Sequence, residues 1–336
     1  MKEKIWFILI VAIGLLTGCG SNDPQAVAGE SMNEENVAAD QENVNAGDSD
    51  EKSSDENKSA FPRTISHVKG ELTLEEKPQR IASVDIMITD YLLALDETPI
   101  VSEGVSTKQR SEIFAEYAEG KDITDLGGKV NMETIVAKAP DVMLMSSESR
   151  KVEKYDTFEA IAPTAVIDFS SGVRSRLQQV AELVGKEEKA EEILATFDQK
   201  VTQAKSVAEA HSNDTVLFLI SNGKDFTVMH PDEFPVYYEE IGLTAPEGLP
   251  RAENGRIGIE ALTTLAPDHI FIAENRRKMN AEDKLGLINV WQENPVWQGL
   301  NAVENHQVYV VDTLVGDTFF LGQVAGVEAI IEHLGE

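Results

Sequence analysis

The 336-residue sequence has one cysteine, Cys19. No internal disulfide can staple it, so its folded part must rest on its own core. Bases are scarce: 29 Lys and Arg stand against 59 Asp and Glu, a formal net charge of −30. Nucleic-acid binding needs a basic surface to neutralise phosphates, so no nucleic-acid partner is expected. An anionic membrane surface is equally unsuited as the working partner. Long apolar runs are missing. The longest, Ile5–Leu16, has twelve residues, short of the about 20 a spanning helix wants. The six histidines, His67, His211, His230, His269, His306 and His333, form no HExxH motif, and no GxSxG elbow occurs. "DLGGK" at Asp125–Lys129 lacks P-loop spacing. The chain is therefore read as no enzyme, with no intrinsic cofactor and no resident metal.

What is present begins with an address. Lys2 and Lys4 precede the apolar run, whose length falls in the signal-peptide range of roughly 7–15 residues. The run ends in Leu16-Thr17-Gly18-Cys19. That tetrapeptide resembles the lipobox of bacterial lipoproteins, which implies a signal peptide over 1–18, cleavage before Cys19 and lipidation of its sulfur. Residues 20–60 carry eleven acids, two lysines and almost no large apolar side chains. Such a segment cannot bury enough surface to offset chain entropy, so 19–60 is read as a lipidated, disordered tether with a reach of roughly 35 Å. That reach suits the outer face of a Gram-positive plasma membrane.

Short β-branched runs recur beyond residue 61: Arg80–Ile86, Pro99–Val105, Val142–Met145, Ala165–Phe169, Val216–Ile220, Phe226–Met229, Ile270–Ala273 and Val308–Asp312. Helix-like segments lie between many of them, which predicts an α/β fold with mainly parallel sheets. Glu187–Ala210 differs. It lacks Gly and Pro, is rich in good helix formers, and spaces Ala190, Ile193, Leu194, Phe197, Val201 and Ala204 helically. One rigid helix of about 36 Å is expected there.

A unit is written twice on either side of that helix. "METIVAKAPDVMLM" at Met132–Met145 returns as "IGIEALTTLAPDHIFI" at Ile257–Ile272. Glu133 and Glu260 occupy the same place in the copies, each followed seven residues later by Pro-Asp. Ile135, Val136 and Ala139, and Leu262, Leu265 and Ala266, are expected on inward faces, with the glutamates pointing away. A first-turn acid is explained by the helix dipole alone. Two copies flanking one helix suggest two pseudo-symmetric lobes, 61–186 and 211–336, joined by helix 187–210.

Six segments in order carry a family resemblance: "KPQRIASVD" at Lys77–Asp85, the first motif, "YDTFEAIAPTAVID" at Tyr155–Asp168, "VAELVGKEEKAEEILATFDQKV" at Val180–Val201, the second motif, and "VWQGLNAVENHQVYVVD" at Val296–Asp312. From about Arg63 onward the chain resembles a substrate-binding lipoprotein of an iron–siderophore ABC importer, in the group that includes ferrichrome and vitamin B12 binders. The resemblance implies a class III substrate-binding protein: a monomer with two lobes, a rigid helix, and a shallow cleft for a ferric siderophore. It also implies that Glu133 and Glu260 meet basic residues of a permease dimer. A haem or corrinoid cargo, or direct Zn or Mn binding, remains open, as do hydroxamate, catecholate and citrate types of siderophore.

Iron already saturated by oxygen donors leaves the protein to recognise the chelate's outer face. Arginine suits that task through forked donors and stacking. Loops after strands are the expected place, which selects Arg110, Arg150, Arg174, Arg176, Arg276 and Arg277. Arg150 and Arg276 or Arg277 follow the two repeat motifs and are preferred. Phe319, Phe320 and Tyr91 are aromatic candidates; core packing explains them equally well.

Overall fold

Apolar runs bounded by turn residues become the centres of two sheets. The computed structural model describes residues 61–108, 111–127, 130–250, 255–274 and 289–335, all within one compact unit. A hairpin of β1 (Arg63–His67) and β2 (Gly70–Leu74) precedes the first lobe. That lobe runs β3 (Ile81–Ser83), α1 (Ile86–Ala94), β4 (Val101–Ser102), α2 (Val105–Lys108), α3 (Glu112–Ala118), β5 (Thr124–Asp125), α4 (Met132–Lys138), β6 (Val142–Ser146), α5 (Tyr155–Glu159), β7 (Thr164–Ile167) and α6 (Val173–Val184). Then comes α7 (Glu187–Ala210). The second lobe runs β8 (Val216–Ser221), β9 (Phe226–Val228), β10 (Arg256–Ile257), α8 (Ile259–Leu265), β11 (His269–Glu274), α9 (Asn289–Gln292), α10 (Pro295–Gln298), α11 (Asn301–Glu304), β12 (Val308–Val311) and α12 (Phe320–Leu334).

The sheet orders are β5-β4-β3-β6-β7 and β10-β9-β8-β11-β12, so the lobes match strand for strand. The match is not complete. All four pairings of the first sheet are parallel. In the second, β8, β11 and β12 pair in parallel, while β9 alone is reversed and pairs antiparallel with both β8 and β10. The reason is local: the turn at Asn222–Asp225 joins β8 to β9 directly, where α1 supplies a crossover in the first lobe. A short connection permits only an antiparallel neighbour.

The long helix buries Ala190, Leu194, Phe197, Val201, Ala204 and Ala208, with Ile193 partly buried. That stripe packs against α6 and α12. The approach of α12 is close. A Cβ on Gly326 would fall 1.8 Å from the Tyr237 hydroxyl, and one on Gly322 2.5 Å from the Leu314 carbonyl oxygen; only glycine fits. Tyr237 donates to the Gly322 carbonyl at 3.2 Å and stacks on Phe218, which stacks on Phe271. Among the described residues no helix is long and apolar enough to cross a membrane.

Candidate functional site

The twin corners are built alike. Each glutamate sits in the first turn of a seven-residue helix, α4 or α8. Asn131 caps α4, its side-chain oxygen accepting from Thr134 N at 3.2 Å; Gly258 precedes α8 without a side-chain cap. Both helices end on an alanine in the left-handed region, Ala139 at φ 44° and Ala266 at φ 42°. The Pro-Asp that follows has a structural duty. Asp141 accepts from Gln79 N and Arg80 N, at the head of β3. Asp268 accepts from the amide and hydroxyl of Thr215, at the head of β8. Each aspartate thus ties the N-terminal edge of its sheet. The helices before them rise from that edge, which puts Glu133 and Glu260 near the opposite, C-terminal edge.

Both glutamates are exposed and have no ion pair among the described residues. The expected inward faces need correction. Ile135 and Leu262 are buried, but Val136 is 56% exposed, Ala139 and Ala266 are exposed, and Leu265 is half-buried. A helix of two turns buries a narrow face, and the alanines are spent on the left-handed stop.

The C-terminal edge of the first sheet is held by a buried polar network. Asp85 caps α1, accepting from Ile88 N at 3.1 Å and from Ser146 N, the last residue of β6, at 2.9 Å. Burial pushes its carboxyl above the usual value, against those two hydrogen bonds. Thr89 donates to Ser83 Oγ at 2.9 Å and meets Ser102 Oγ at 2.5 Å. Over this layer Lys151 and Glu103 form an ion pair.

Between the lobes lies an aromatic seam. Phe169, directly beyond β7, meets Phe319 edge to face at 6.4 Å and 71°. The Arg176 guanidinium lies 4.8 Å over the Phe169 ring. It donates to the carbonyls of Phe169 (2.7 Å), Ser171 (2.7 Å) and, across the seam, Thr318 (3.4 Å). Two carboxylates cross in opposite directions. Asp90, on α1, accepts from Leu321 N in the first turn of α12 at 3.0 Å. Asp312, beyond β12, accepts from Glu112 N at the start of α3 at 2.9 Å, while its other oxygen accepts from Leu314 N. Each lobe supplies an anion to a helix N-terminus of the other, where the dipole favours it.

The sequence-selected residues separate here. Arg150 opens a 3-10 turn just past β6, is exposed, and has no ion pair among the described residues. Arg174 and Arg176 stand in the first turn of α6, not in a loop, because Gly172 starts the helix earlier than expected. Arg174 binds Asp198 of α7 and Glu240 at 2.7 and 2.8 Å and covers the Phe197 ring at 4.9 Å. Burial works against its charge, and those two carboxylates more than offset it. Phe319 is half-buried at the seam, whereas Phe320 and Tyr91 are core. Cys19, Arg110, Arg276 and Arg277 lie outside the described residues. His67 and His230 use Nδ1 on backbone amides in different lobes. The sequence reading missed Asp90 and Asp312. The only local signal was an isolated acid inside the apolar stretch "IMITDYLLAL".

A family model described as periplasmic binding protein matches residues 81–313. The iron-uptake system-binding protein of Bacillus subtilis is 30% identical over 228 residues, 64% of this chain and 71% of that one. The Fe(3+) dicitrate-binding periplasmic protein FecB of Escherichia coli is 26% identical over 259 residues, 76% of this chain and 83% of that one. Among solved structures, the triscatecholate siderophore binding protein FeuA of Bacillus subtilis, complexed with ferri-bacillibactin, shares the fold. Its TM-score is 0.67 at 24% identity, over 81% of this chain and 98% of that one.

Proposed function

The chain belongs to the periplasmic binding protein family, and from that premise we propose that it captures a ferric siderophore between its lobes and delivers it to an ABC importer. It works outside the cytoplasm, as a monomer, held to the membrane by a lipid on Cys19. It binds and releases cargo without transforming it. Relatives named for iron uptake and ferric citrate support the cargo class.

The observation that carries this reading is the seam itself. A ferric chelate presents flat, electron-rich groups and anionic oxygens. Phe319 offers a half-buried ring edge-on to Phe169, and Arg150 offers an exposed guanidinium past the C-terminal edge of β6. Planar stacking and forked donation are what such a surface recognises best. Arg110, Arg276 and Arg277 complete the proposed contacts. Glu133 and Glu260, one exposed acid per lobe, dock on basic residues of a permease dimer, which would set orientation and on-rate more than raw affinity.

Isothermal titration of the purified full chain with ferric hydroxamate, ferric catecholate and ferric citrate complexes tests this. One class is expected to bind saturably at one per chain. Absence of saturable binding by all three would refute the reading. Calorimetry is the cleaner readout, because Trp291 and Trp297 are packed with Phe226 in the core of the second lobe.

A further inference from the structure

A second cluster lies at the N-terminal edge of the second sheet, the edge opposite the one where Asp312 follows β12. His211 caps the C-terminus of α7, Asp214 stands in the turn leading to β8, and His269 opens β11. One ligand atom from each, a ring nitrogen or a carboxylate oxygen, comes within 4.8 Å of the others. Asp214 Oδ2 is 2.8 Å from His211 Nδ1 and 3.4 Å from His269 Nε2.

The far nitrogens are also engaged. His211 Nε2 lies 2.9 Å from the Leu334 carbonyl oxygen, which can only accept, so that nitrogen carries the proton. A neutral His211 ring then aims its Nδ1 lone pair at a carboxylate oxygen. Two acceptors at 2.8 Å need positive charge between them. His269 Nδ1 lies 3.1 Å from the Tyr309 hydroxyl, leaving Nε2 to face the same oxygen. Histidines fixed through one nitrogen by a carbonyl or hydroxyl, with the other free to coordinate, are the usual outer-shell arrangement of metal ligands. The exposure fits as well. His269 is 2% exposed, while the His211 and Asp214 side chains are 25% and 39% exposed, giving one fixed wall and one open side.

We propose that His211, Asp214 and His269 bind a divalent transition-metal cation of the zinc class through His211 Nδ1, His269 Nε2 and an Asp214 carboxylate oxygen. The open side takes water as fourth ligand. Bonds of about 2.0–2.2 Å would set tetrahedral ligand edges near 3.4 Å, within the spread of the present separations. Imidazole and carboxylate donors without sulfur suit zinc and its first-row neighbours. The cation pins the end of α7, through His211, to β11 of the second lobe. It is a structural tie, separate from the cargo and independent of the cargo proposal.

The test is zinc titration of the chelator-treated full chain by calorimetry, with cobalt substitution read by visible d–d absorption. One tight equivalent is expected. His211→Ala and Asp214→Asn, both at partly exposed positions, should each weaken it more than about tenfold, and Tyr309→Phe by about tenfold through the lost outer partner. His306→Ala, on an exposed residue outside the cluster, should leave it unchanged. Metal-free melting curves verify that each variant is folded. No stoichiometric zinc in the unmodified chain would overturn the proposal. So would equal zinc binding in His211→Ala and Asp214→Asn, which would leave the trio a proton-bridged ion pair.

Discussion

A guanidinium that already holds two carboxylates has little left for a ligand. Arg174 and Arg150 were both candidates, Arg150 the preferred one, and their surroundings divide them. Arg174 fastens α6 to α7 and to Glu240, while Arg150 stands exposed at the start of the turn past β6. Arg174→Ala is expected to lower unfolding free energy by about 1 kcal/mol, since its partners are half-exposed and screened and its cover over Phe197 is lost. Ferric-complex affinity should be unchanged. Arg150→Ala should leave the urea midpoint in place and weaken the complex about tenfold or more, as loss of a charge-assisted hydrogen bond of about 1.5–3 kcal/mol implies. Paired urea melts and calorimetric titrations check both; the reverse pattern would exchange their roles.

At the scale of elements, legibility followed periodicity. The helix α7 was readable because six apolar positions keep one spacing over 24 residues. The central strands were readable as buried β-branched runs. The hairpin β1–β2 was missed because "RTISHVKGELTL" alternates weakly, and β5 and β10 are two residues long, too short to have a period. The direction of β9 hangs on the turn at Asn222–Asp225, and the Val136 face failed because a two-turn helix buries little. The seam was least legible of all: its cross-caps join residues 231 and 200 positions apart, and no local pattern announces such pairs. Their energetic weight can be measured. Asp312→Ala removes an acceptor from Glu112 N and Leu314 N together and should cost about 0.5–2 kcal/mol, the range for a lost cap. A chemical-denaturation midpoint unchanged by Asp312→Ala would mean water replaces the carboxylate at no cost.

For the whole molecule, the docking role proposed for the paired acids would separate binding from delivery. Changing Glu133 and Glu260 together to Ala should leave ferric-complex affinity within experimental error and stop uptake in cells. Loss of affinity in that double variant would move the glutamates into the cargo site. Both side chains are exposed and unpaired among the described residues, on helices whose core contacts run through Ile135 and Leu262.

The Pro-Asp ties have a consequence for how such a molecule can change over generations. Asp141 and Asp268 secure the heads of β3 and β8 at the edge of each sheet opposite the proposed cargo. At the other edge, loop positions outside the Asp85 network and the cross-caps, such as exposed Arg150, are freer to vary, as loops on a rigid scaffold generally are. Substitution there can drift from one chelate to another while the chassis and its two corner acids stay in register. A lineage could thus acquire a new diet without having to reinvent its conversation with the transporter.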